Sequence, residues 1–153
     1  MTRERLFLSG VILIFLMASP VFGDNSATLE VEVTGIKNKK GEVGVALFES
    51  VKGYPTHLEY AYETEWIPYE KGEGSLTFNF EGLPPDDYAV SVLHDVNANR
   101  KVDRTGLGFP KEGVGFSNDQ KVTLKAPSFK KSKFDLVAGE TKKIIIRLEY
   151  RKD

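Results

Sequence analysis

Between Asp95 and Asp103, oxygen-bearing side chains recur on alternate residues: Asp95-Val96-Asn97-Ala98-Asn99-Arg100-Lys101-Val102-Asp103. Counted from Asp95, they occupy positions 1, 3, 5 and 9 of an EF-hand-type calcium loop. Ca²⁺ takes about 6–8 oxygens at about 2.3–2.6 Å, and alternate residues of a tight coil aim theirs at one centre. The candidate ligands are therefore the side chains of Asp95, Asn97, Asn99 and Asp103, with the main-chain carbonyl of Lys101 at position 7. Two residues depart from that pattern. Arg100 stands where the sharp turn asks for glycine, at a cost on the order of 1 kcal/mol. Gly106 stands where a bidentate Glu belongs, and Glu112 and Asp119 are the nearest substitutes. The same residues also fit a metal-free loop, because Asp and Asn side chains bond their own backbone in Asx turns. Ca²⁺ is the cofactor that the sequence raises, and the metal-free loop is its rival.

Other chemistry finds less support. His94 and Asp95 are adjacent on a strand and point to opposite faces, so they form no dyad by themselves, and His94 also reads as a structural residue bonded to the loop that it introduces. The second histidine, His57, lies in a different segment, and two histidines without cysteine fall short of a zinc set. Gly115-Phe116-Ser117-Asn118-Asp119 lacks the closing glycine of a nucleophile elbow. There is no phosphate-cradling glycine loop and no HExxH. A hydrolase built on Asp95, Asp103 or Glu112, with or without a metal, is the enzymatic alternative to a non-catalytic module that binds a ligand or partner, and a purely structural envelope protein is the third reading. Tyr54, Tyr60, Tyr62, Trp66 and Tyr69 either form a platform for a glycan or protein or pack the rim of the fold. Lys130, Lys131 and Lys133 read as a solvated edge.

The elements that would position the loop read as strands. Leu29, Val31 and Val33 alternate with Glu30, Glu32 and Thr34, which is a strand with one wet face. Asn38-Lys39-Lys40-Gly41 is a turn before Val43, Val45 and Leu47, and together these predict an opening hairpin. Pro55 fits the first turn of a short helix to about Ala61. Thr64–Tyr69 is extended, and Leu76, Phe78 and Phe80 alternate. After Pro84-Pro85-Asp86-Asp87, the run from Tyr88 to His94 is apolar on both faces, which predicts a central strand. Asp95–Gln120 carries little strand or helix pattern and is too long for an ordinary loop. Val122–Lys125 predicts a short strand. Lys133–Val137 and Thr141–Tyr150 predict a closing hairpin whose inner face is Ile144, Ile146, Leu148 and Tyr150. The expected fold is all-β, an antiparallel sandwich of about seven strands with one long ordered loop.

The run Leu83-Pro84-Pro85, Tyr88-Ala89-Val90, His94-Asp95-Val96-Asn97-Ala98-Asn99, Asp103 and Gly108–Asn118 resembles the DUF2141 family of bacterial exported proteins. Asp86 and Arg100 stand where that family usually has glycine. The resemblance implies a prealbumin-like or immunoglobulin-like sandwich and no established activity.

Arg3 and Arg5, the apolar run Leu6–Met17 and small Gly23 make the three-part pattern of a secretory signal over residues 1–23, leaving one domain at 24–153. The apolar run is shorter than the roughly 20 residues of a spanning helix, so no membrane span is expected after cleavage. The destination is the periplasm or the extracellular space. The chain of 153 residues has no cysteine and a net charge of −1. No disulfide staples it, and nothing in its charge suits a nucleic acid. The expected partner is a protein or glycan of the envelope. The surface expected to meet it comprises His94, Glu112, Phe116, Asn118 and Trp66, on or beside the Asp95–Asn118 stretch.

Overall fold

The computed structural model describes residues 25–38, 40–70, 74–121 and 125–151. The signal segment 1–23 and residues 122–124 of the expected short strand lie outside those residues.

Among the described residues, eight strands form two packed sheets: β1 (Ala27–Ile36), β2 (Glu42–Phe48), β3 (Glu63–Pro68), β4 (Gly74–Leu83), β5 (Asp86–Asp95), β6 (Gly113–Phe116), β7 (Phe134–Leu136) and β8 (Thr141–Arg147). One sheet has the order β4-β1-β8 and the other β3-β2-β5-β6, with β7 pairing the start of β5. The core between them takes Leu29, Val31 and Val33 of β1 and Phe78 and Phe80 of β4. Facing these are Val43, Val45 and Leu47 of β2 and Tyr88, Val90 and Val92 of β5. Each such side chain contributes about 1.5–3 kcal/mol on burial. The Tyr88 hydroxyl donates to the Pro84 carbonyl at 2.9 Å. This ties the strand to the corner before it, as tyrosine corners do in sandwiches.

The all-β sandwich and the central position of β5 are as the sequence predicts. Both expected hairpins are corrected. β1 and β2 lie in different sheets, and the turn through Gly41 (φ 78°) carries the chain from one to the other. β8 does not return along β7. It pairs in parallel with β1, from Thr28–Thr141 to Thr34–Arg147. The turn between β7 and β8 explains why. Its Gly139 N–H donates to the Ser26 carbonyl, and the Glu140 carbonyl accepts from the Thr28 N–H, so the turn is fastened to β1. Alternation fixes which face of a strand is buried; it does not name the partner. In place of the helix from Pro55 there are turns and a 3-10 turn at Leu58–Tyr60.

The stretch expected to lack strands contains β6. Its inward positions are Gly113 and Gly115, where a Cβ would stand 2.4 Å from the Tyr150 ring and 2.6 Å from Ile146. Glycine lets this strand approach the end of β8 and the residues after it closely enough for Val114 and Glu149 to exchange two backbone hydrogen bonds, closing one side of the sandwich.

Candidate functional site: the acidic loop and the cavity beside it

Asp95 ends β5 and is wholly buried. Its Oδ2 accepts a short hydrogen bond from the Arg100 N–H, while its Oδ1 has no partner among the described residues. Asn97 Oδ1 accepts the Asn99 N–H at 3.3 Å, and Asn99 Oδ1 accepts the Lys101 N–H at 2.8 Å. Both amide groups donate to Asp103, at 2.8 Å and 3.4 Å. Arg100 takes φ 57°, so the residue at position 6 makes the sharp turn without being glycine. The coil is thus wound by side-chain-to-backbone bonds, as in the Asx reading.

A short hairpin then brings Glu112 back to the loop. Arg104 and Pro110 form a bridge, and the Lys111 N–H donates to the Asp103 carbonyl. Glu112 is 5% exposed. Its Oε1 accepts the Val96 N–H at 3.0 Å and its Oε2 the Asp103 N–H at 3.2 Å. Burial pushes the Glu112 carboxyl above the usual range; its two backbone donors pull it down, and the nearby charges of Asp95 and Asp103 push it further up. Among the described residues, no three Asp, Glu or His side chains are grouped to hold a metal by themselves. An ion here would need amide and carbonyl oxygens from Asn97, Asn99 and Lys101 as well, a mixed set of the kind calcium accepts.

The expected partner surface comes apart in the structure. His94 does not reach the surface; it is wholly buried on the core side. Its Nε2 lies 2.9 Å from the Lys40 carbonyl and its Nδ1 2.7 Å from the Tyr150 hydroxyl. A carbonyl only accepts, so Nε2 carries the proton and Nδ1 accepts from Tyr150. The histidine therefore fastens the β1–β2 turn to the C-terminal segment. Glu112 is also too buried to offer a surface. Asn118 is exposed, but its amide donates to the Lys131 and Lys133 carbonyls. Beside it, the Ser117 hydroxyl accepts the Val90 N–H and donates to the Ser132 carbonyl. These two residues pin the one-turn helix α1 (Phe129–Ser132) to the sheet.

Trp66 and Phe116 do meet. They line a cavity of about 260 Å³ on the outer face of the larger sheet. Leu93, Val114 and Phe116 form a second apolar cluster there, with Trp66 and Val102 packed against it. One wall is the β2–β3 connection, with Pro55, Thr56 and Leu58. The other is the acidic loop and its continuation, with Arg100, Lys101, Val102 and Arg104. Gly44 makes room for the floor, because a Cβ there would stand 2.3 Å from the Trp66 ring. The Arg100 guanidinium lies 5.3 Å from that ring's centroid and 3.0 Å from Glu42. The cavity itself could not be found by motif. Its one sequence signal is a glycine in the middle of β2, paired across to the single tryptophan. Of the other aromatics of that stretch, Tyr54 packs edge-on against Phe48, Phe116 and Phe129, Tyr69 is buried, and Tyr60 and Tyr62 are exposed. A smaller cavity of about 210 Å³ lies by Phe109, Glu112, Glu149 and Tyr150.

No curated protein and no solved structure matches this chain. A family model does match, over residues 31–144, covering both sheets, the acidic loop and the cavity walls. The chain belongs to DUF2141, a family of uncharacterized proteins conserved in bacteria.

Proposed function

We propose that the chain is an exported, non-catalytic binding module of the periplasm or extracellular space, holding a ligand in the cavity flanked by the Asp95–Asn118 element. The cavity carries this reading. It has an apolar floor and a polar rim, the usual make-up of a ligand site. Among the described residues no carboxylate or histidine lines it, and its Ser91 hydroxyl already donates to the Pro55 carbonyl at 2.9 Å. The carboxylates that a hydrolase would use are engaged in winding the loop. The secretory pattern of residues 1–23 supports export. The test is a set of small neutral, anionic and cationic fragments, followed by amide chemical shifts. Saturable shifts at Leu93, Val114 and Phe116 are expected with at least one of them. No movement there at millimolar concentration would refute ligand binding in this cavity.

A second reading concerns the loop, and the buried, unpartnered Oδ1 of Asp95 favours it. A buried carboxylate oxygen without a donor is costly, and Ca²⁺ seated among Asp95, Asn97, Asn99, Lys101 and Asp103, with Glu112 beside them, would relieve it. Glu112 adds to the case. Its folded pKa lies above its unfolded value. The stability it contributes is therefore present below the ordinary carboxylate pKa and lost as pH rises through the folded one. At neutral pH it is a cost that a cation offsets. Millimolar Ca²⁺ is expected to raise the thermal midpoint over chelator. The gap should be widest near neutrality and close as pH falls through the carboxylate range. Identical midpoints with Ca²⁺ and chelator at pH 7 would exclude the ion.

A further inference from the structure

Resting on the cavity reading, we infer that the ligand is a small apolar acid: one ring or a short acyl chain carrying a single anionic head. The charges around the cavity are one-sided. Arg100, Lys101 and Arg104 line it, and among the described residues no Asp or Glu does. Arg100 is engaged by Glu42 and by the Trp66 face. Lys101 and Arg104 have no carboxylate within ion-pair distance among the described residues; Arg104 donates only to the Gly108 carbonyl, at 2.9 Å. The acidic groups nearby are committed elsewhere, Asp103 to the amides of Asn97 and Asn99 and Glu112 to two backbone N–H groups. An anion at the rim therefore meets two cations without displacing an existing partner.

The interior sets the rest of the ligand. Trp66, Leu93, Val114 and Phe116 offer no charge, so a multiply charged phosphate compound would leave charge over an apolar floor. Size limits it too. An apolar cavity of about 150 Å³ accepts benzene, so 260 Å³ suits a body of about ten non-hydrogen atoms.

Trp66 is the single tryptophan and lines the cavity, so its emission reads occupancy. Phenylacetate and hexanoate are expected to change it saturably. 2-Phenylethylamine, acetate and inorganic phosphate should bind at least tenfold more weakly. In Lys101→Met/Arg104→Met, phenylacetate should weaken about tenfold while neutral benzyl alcohol is unchanged, which shows that the variant keeps its cavity. If the amine equals phenylacetate, if phosphate equals it, or if the double variant binds phenylacetate undiminished, the acid assignment is overturned while the cavity remains a ligand site. If none of the apolar probes moves Trp66 emission or the cavity amides, the cavity reading fails, and this inference with it.

Discussion

The two sheets use their outer faces differently. On the smaller sheet, Glu30, Glu32 and Thr34 of β1 face solvent, with Lys143 and Ile145 of β8 beside them. This is the half-wet alternation of an ordinary sandwich. On the larger sheet the outward positions of β2 and β5 are also buried: Gly44, Ala46 and Phe48, then Ala89, Ser91 and Leu93. What covers them is loop, not a third layer of regular structure. Because the cover consists of two loops that meet imperfectly, a cavity remains between them. A sheet face under loops can enclose a cavity, the usual form of a small-molecule site, where a face open to water encloses none.

Substitution can test how far apart the two faces stand. The largest effect is expected from Phe116→Ala, which empties a buried ring from beneath the loops. It should cost about 3 kcal/mol by denaturant unfolding. A loss under about 1 kcal/mol would mean that the cover contributes little. Next is Gly44→Val, whose side chain must displace the Trp66 ring. A loss of about 2 kcal/mol is expected, with a red shift in tryptophan emission. An unshifted spectrum would contradict the packing of Trp66 on Gly44. The smallest effect belongs to the open face: Ile145→Ala, where the side chain is 58% exposed, should change stability by no more than about 0.5 kcal/mol. A larger loss would show that this face, too, is covered.

The difference between the faces also governs what the sequence could reveal. The inward pattern of β1, β4 and β5 was legible because alternation follows directly from burial of one face. Strand partners were not, since β2 and β8 satisfy the same alternation in either sheet. β6 escaped notice because glycines occupy its inward positions, where Tyr150 and Ile146 leave no space for a Cβ. Of the candidate site, the Asx spacing of Asp95–Asp103 was readable, and of the two residues that the sequence offers beside it, Glu112 and Asp119, Glu112 is bonded to the loop backbone. His94 reads in the sequence both as a structural residue bonded to the loop it introduces and as part of the partner surface; it is structural, but the Lys40 carbonyl and Tyr150 hold it, partners that no local pattern signals. The cavity depends on Gly44, Trp66 and Phe116, which are far apart in sequence and meet only through cross-strand register.

The parallel pairing of β1 and β8 has a mechanical side. The first and last strands of the fold are neighbours running the same way. A pull on the two ends of the chain therefore slides one strand along the other. The rungs from Thr28–Thr141 to Thr34–Arg147 are loaded together in shear rather than opened one at a time. Pulling residues 25 and 151 apart is expected to break these rungs in one step, which single-molecule extension would check.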